Sequence, residues 1–108
     1  MTVDAIGGVL LLTLSGHFDD DACRQLEECL ESAVRGRRAV VVDLVDVDDL
    51  PGRALDALTA TRKRLGVRLR LVAPRGGPAN RALRAVGVVH AFAVHDSSPV
   101  ALTSARRG

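Results

Sequence analysis

The sequence predicts an α/β domain: a mixed sheet of four to five strands with about four helices packed against it. Three observations carry this. Short apolar runs rich in β-branched residues alternate with segments whose apolar residues recur at helical spacing. Glycines, prolines and acidic clusters fall between them, where turns and helix starts belong. The chain has 108 residues, of which 47% are hydrophobic, enough for one modest core. The expected order is β-β-α-β-α-β-α-β-α in a single domain over residues 1–108. Such alternation implies a largely parallel sheet with right-handed crossovers.

Each element has its own signal. Val9-Leu10-Leu11-Leu12-Thr13-Leu14 is a strand closed by Ser15-Gly16. A short strand over Val3 to Ile6 precedes it across a Gly7-Gly8 hairpin turn. Asp19, Asp20 or Asp21 caps the next helix, whose positive end suits three acids. Its inner face is Ala22, Leu26, Cys29, Leu30 and Ala33, with Cys23 at the edge, and Gly36 stops it. Val40 to Leu44 is apolar without alternation, which fits a central strand covered on both faces. Pro51 or Gly52 begins the second helix, with Leu55, Leu58 and Leu65 inward and Gly66 at its end. Val67 to Val72 alternates, so one face of that strand is wetter. Pro74 to Pro78 is a loop, followed by a short helix with Ala79, Ala82, Leu83 and Val86 inward and Gly87 as its stop. Ala91 to Val94 is a last strand. Ser97 or Ser98, with Pro99, opens a terminal helix that frays at Arg106-Arg107-Gly108.

Composition excludes several functions. Phe18 and Phe92 are the only aromatic residues, too few to stack single-stranded nucleic acid, and the net charge is only +2. No direct nucleic-acid partner is expected. The longest apolar run, Gly7 to Leu12, is far too short to cross a bilayer, so no membrane insertion is expected. The N-terminus shows no basic region with a signal-type apolar core, and a cytoplasmic protein is the expectation. Cys23 and Cys29 fall six residues apart on one helix, about 240° around its axis, so they point apart and cannot bridge. A redox role for Cys23 stays open.

Residues able to do chemistry are scarce. Asp43, Asp46, Asp48 and Asp49 cluster in and after the central strand, and hard cations want several carboxylates. A phosphatase built on such a cluster needs further partners, and the one lysine, Lys63, lies in mid-helix. A solvated acidic loop explains the cluster more simply. "PRGGPANR", Pro74 to Arg81, is Gly-rich and opens a helix, as phosphate loops do, but lacks their Lys-Ser/Thr ending. A structural turn is the plainer account. His17, His90 and His95 have no ligand spacing. No enzyme activity, metal or cofactor is expected.

The order of these pieces resembles the STAS domain of bacterial anti-sigma-factor antagonists, from about Val9 to Ala105. "VLLLTLSGHFD" is similar to the family's opening strand and Gly-Glu-Leu-Asp, with Gly16 and Asp19 kept, His17 for Glu and Phe18 for Leu. "RRAVVVDLVDVDDL" resembles its central strand, and "VRLRLVAP", "RALRAVGV" and "FAVHDS" its second half. The resemblance implies that the loop after the central strand should read Asp-Ser-Ser/Thr-Gly-Leu, with a Ser phosphorylated by a partner that is both kinase and anti-sigma factor. Here those positions are Pro51, Gly52, Arg53, Ala54 and Leu55. Only Leu remains, and Gly52 and Arg53 mark the lost phosphosite.

The resemblance therefore implies a protein-interaction module: an anti-sigma-factor antagonist lacking the phosphorylatable Ser/Thr. Its expected partner is an anti-sigma factor of the serine-kinase/ATPase-fold type, bound through Asp48, Asp49, Pro51, Gly52, Arg53 and Asp56. Arg53 would contact an acidic partner or reverse the site's charge permanently, and Asp48 or Asp49 would offset it locally. The alternatives are a STAS subunit of a transporter-associated or stressosome-like assembly, a small-ligand or nucleotide-binding STAS domain, and a degenerate copy without a partner. The sequence leaves the oligomeric state open.

Overall fold

The computed structural model describes residues 1–107; Gly108, expected at the frayed end, lies outside them. A five-stranded sheet runs in the order β1 (Thr2–Ile6), β2 (Val9–Gly16), β3 (Val40–Val47), β4 (Leu69–Val72), β5 (Ala93–His95). The β1–β2 pair is antiparallel, with Val3 opposite Leu12, and the other pairs are parallel. Four helices follow in chain order: α1 (Asp20–Gly36), α2 (Gly52–Leu65), α3 (Pro78–Ala85) and α4 (Ser98–Arg107). The hairpin needs glycine at Gly7, whose φ is +57° and whose missing Cβ leaves room for the Arg106 guanidinium.

The sheet is covered unequally. Leu26, Leu30 and Ala33 of α1, Ala54 and Leu58 of α2, and Ala79 and Leu83 of α3 pack on Leu12, Val40, Val42, Leu44 and Leu71. On the opposite face α4 alone lays Ala101 and Ala105 over Val9, Val41 and Val72. Val40, Val41 and Val42 are all buried, as a central strand covered on both sides requires.

Several boundaries differ from the sequence expectation. β3 continues three residues past Leu44, because Ser15 and Gly16 of β2 pair with Asp46 and Val47. Gly66–Arg68 forms a 3₁₀ turn, so β4 starts only at Leu69 and Val67 is exposed. A second such turn over Val89–Ala91 shifts β5 to Ala93–His95. Arg37 takes the left-handed conformation that ends α1, at φ 50°, while Gly36 stays helical. Val86 is exposed, because it caps α3 instead of lying on its inner face. α4 continues through Arg106 to Arg107.

Candidate functional site

The β2–α1 and β3–α2 loops lie side by side at the carboxyl ends of β2 and β3. The backbone joins them: Asp48 N–H donates to the Gly16 carbonyl at 2.9 Å. A side chain joins them again, with Phe18 N–H donating to Asp49 Oδ1 at 3.3 Å. His17 Nδ1 stands 3.9 Å from the same carboxylate. Buried Phe18, Val47 and Leu50 anchor the two loops in the core, and Asp48 and Asp49 between them face solvent. The alternation of pinned apolar residues and exposed acids makes the loop a fixed display, not a slack connection.

Pro51 caps α2 without a side-chain hydrogen bond, and the first turn of that helix contains no acid. A lone Arg53 there would oppose the helix dipole. The compensation comes from α1. Arg53 Nε donates to Glu27 Oε2 at 2.9 Å and its Nη2 to Glu27 Oε1 at 2.8 Å, a two-pronged pair between neighbouring helices. The Arg53 hydrogen bond lowers the Glu27 carboxyl pKa below its ordinary value. Asp48 and Asp49, expected to balance Arg53, do not pair with it; Glu27 does.

Of the sequence-predicted site residues, Asp48, Asp49, Gly52, Arg53 and Asp56 are exposed on this pole of the molecule and Pro51 is half-buried. The four aspartates do not converge: Asp43 and Asp46 lie within β3, and Asp48 and Asp49 in the loop after it. Asp43 belongs to the other face of the sheet, accepting from Ser98 Oγ at 2.5 Å and from Val45 N–H at 3.0 Å. Among the described residues, no group of three His, Cys, Asp or Glu gathers where a metal could sit. Sequence reasoning missed Glu27, and no spacing rule could find a partner 26 residues away on another helix.

The two cysteines exchange their expected places. Cys23 is buried beneath the first turn of α1 and Cys29 is half-buried. Burial raises the Cys23 thiol pKa, against a smaller lowering by Arg53. Burial raises that of Cys29 as well. Neither has the depressed pKa of a reactive thiol.

The family model of the STAS domain matches residues 1–103, and the chain belongs to the STAS-domain family. Its fold is shared by solved anti-sigma factor antagonists. One, from Mycobacterium paratuberculosis, is 28% identical with a TM-score of 0.82, the match covering 97% of this chain and 92% of that one. The antagonist SpoIIAA in its unphosphorylated form is 13% identical with a TM-score of 0.74, over 99% of this chain and 97% of its own. The phosphorylated form of this Bacillus cell fate determinant matches at 13% identity and a TM-score of 0.68, over 94% and 96%. No curated protein matches the chain significantly. Among the described residues, no helix is long and apolar enough to cross a membrane.

Proposed function

We propose that the protein is an anti-sigma-factor antagonist whose binding loop has no phosphorylation switch. It binds an anti-sigma factor of the serine-kinase/ATPase-fold type through Asp48, Asp49, Pro51, Gly52, Arg53 and Asp56, and so frees a sigma factor. One observation carries the reading: the loop and first two turns of α2, Val47 to Leu58, contain no hydroxyl side chain. The nearest one along the chain, Thr59, donates its hydroxyl to the Leu55 carbonyl within the helix. A phosphate on such a loop would add roughly −1.5 to −2 charges at a helix N-terminus and repel a partner packed against it. Without an acceptor the binding face keeps one charge state, and Arg53, held by Glu27, is part of it.

The test is calorimetry with the anti-sigma factor that the protein captures from its own cells. Binding should be one to one and should persist with ATP, with no phosphate on the antagonist by mass spectrometry. Arg53→Glu should weaken binding roughly tenfold or more, as expected of a misplaced interfacial charge. Because that change also breaks the pair with Glu27, Glu27→Gln is the control and should bind within a few-fold of the parent. Unchanged affinity for Arg53→Glu would take the loop out of the interface and favour an assembly subunit, which would co-purify with a large complex.

A further inference from the structure

We propose that a cavity running alongside β5 and past the carboxyl end of β4 binds a small phosphate monoester. It lies between the Pro74–Pro78 loop, α3 and β5, and shares no residue with the β3–α2 loop. Its volume is about 370 Å³, within the roughly 300–1,000 Å³ of small-molecule sites. Arg75, Asn80, Arg84, His90, Phe92 and Asp96 line it.

The central observation is how Arg84 is held. Asn80 is only 4% exposed. Its Nδ2 donates to the Ala73 carbonyl at the end of β4, at 2.8 Å. Its Oδ1 accepts from Arg84 Nε at 2.9 Å. A buried amide thus ties the guanidinium to the sheet by its Nε alone. Both terminal NH₂ groups stay available, in the planar fork that matches two phosphate oxygens. A side chain already fixed in this way loses little further rotamer freedom when a ligand arrives.

Charge points the same way. Arg75 brings a second guanidinium to the cavity, and among the described residues neither it nor Arg84 has a carboxylate within 4.0 Å. Two cations facing one space, with Asp96 as the single acid, favour a dianion between them. Phe92 supplies an apolar wall for the body of the ligand. Asp96 and His90 can meet its hydroxyl groups. The segment "PRGGPANR" then has two roles, a tight turn at Gly76 (φ +82°) and the source of Arg75 and of Asn80, which holds Arg84.

The experiment is an NMR titration of the full chain at constant ionic strength, with inorganic phosphate in one arm and ribose 5-phosphate in the other. Both should give saturable shifts at Arg75, Asn80 and Arg84, and the sugar phosphate should bind more tightly through the wall and Asp96. Arg84→Ala should weaken binding ~10-fold or more, the loss of a charge-assisted bidentate contact. Arg84→Lys keeps the charge but not the Asn80 tether and should fall between. Arg81→Ala, an exposed arginine of the same helix outside the cavity, should change nothing. If Arg84→Ala does not fold, Arg75→Ala on the exposed loop carries the same test. Shifts that only drift up to about 10 mM ligand, or an equal loss in Arg81→Ala, would overturn the site.

Discussion

Leu50 is one of the buried residues that anchor the β3–α2 loop, and Leu50→Ala measures how far the loop depends on it. The side chain is 6% exposed between exposed Asp49 and half-buried Pro51. Truncation removes three carbon atoms at about 0.8 kcal/mol per buried carbon, or roughly 2–2.5 kcal/mol. A loop can settle into part of the space left, so the cavity adds little, and the expected total is ~2–3 kcal/mol. Leu58 is fully buried on α2, where the helix cannot close in, and Leu58→Ala should reach ~3–5 kcal/mol. Leu55, expected on the inner face, is half-buried, and Leu55→Ala should cost only ~1–2 kcal/mol. The chain has neither Trp nor Tyr, so urea unfolding is followed by far-UV circular dichroism. The midpoint should fall with little change in slope. The order Leu58, Leu50, Leu55 is the result to look for. A cost below about 0.5 kcal/mol for Leu50→Ala, the scale of a surface change, would mean that Leu50 does not hold the loop. Equal costs at Leu55 and Leu58 would mean that α2 buries a different face.

Mild oxidation should produce no Cys23–Cys29 bridge by mass spectrometry, and iodoacetamide should label half-buried Cys29 before buried Cys23; the reverse order would contradict the burial described. The Glu27–Arg53 pair lowers the Glu27 pKa, so its contribution is present above the unfolded glutamate value near 4.5 and is lost as pH falls through the folded value. Melting temperatures of the parent and Glu27→Gln should therefore differ near neutral pH and low salt, and converge in acid and in high salt. A difference that survives in acid would assign it to something other than the ion pair. A chelator should leave the melting temperature unchanged, and a drop would reveal a bound metal.

The repeating elements were legible because their signals are local. Period-two and near-continuous apolar runs marked the strands, and helical spacing marked α1 and α2, whatever lay across the sheet from them. The misplaced features depend on distant partners. Gly16 ends β2 opposite Val47, and that pairing extends β3 beyond what its own hydrophobicity shows. Val67 continues an alternating pattern, but the chain is still closing α2 through Gly66 there, and the pattern runs ahead of the strand. Cys23 and Cys29 are equally apolar, and the exact rotation of α1 on the sheet decides which is buried. The candidate loop was legible as a place and as a composition. Its electrostatics were not, because Glu27 reads as one more solvated acid until α1 and α2 are set side by side.

The strand order β1-β2-β3-β4-β5 repeats the order of synthesis, and this bears on how the chain assembles. No later strand has to be threaded between two that have already paired. Each helix-and-strand unit leaving the ribosome can dock on the open border left by the one before it. The entropic cost of closing each loop is then confined to a single crossover, the inexpensive end of the range for parallel sheets. Only α4 departs from this sequence of additions. It follows all five strands in the chain and covers the bare side of ones laid down long before, Val9, Val41 and Val72 among them. Until it arrives, that side of the nascent sheet lies open, so this ten-residue helix closes the fold as well as extending it.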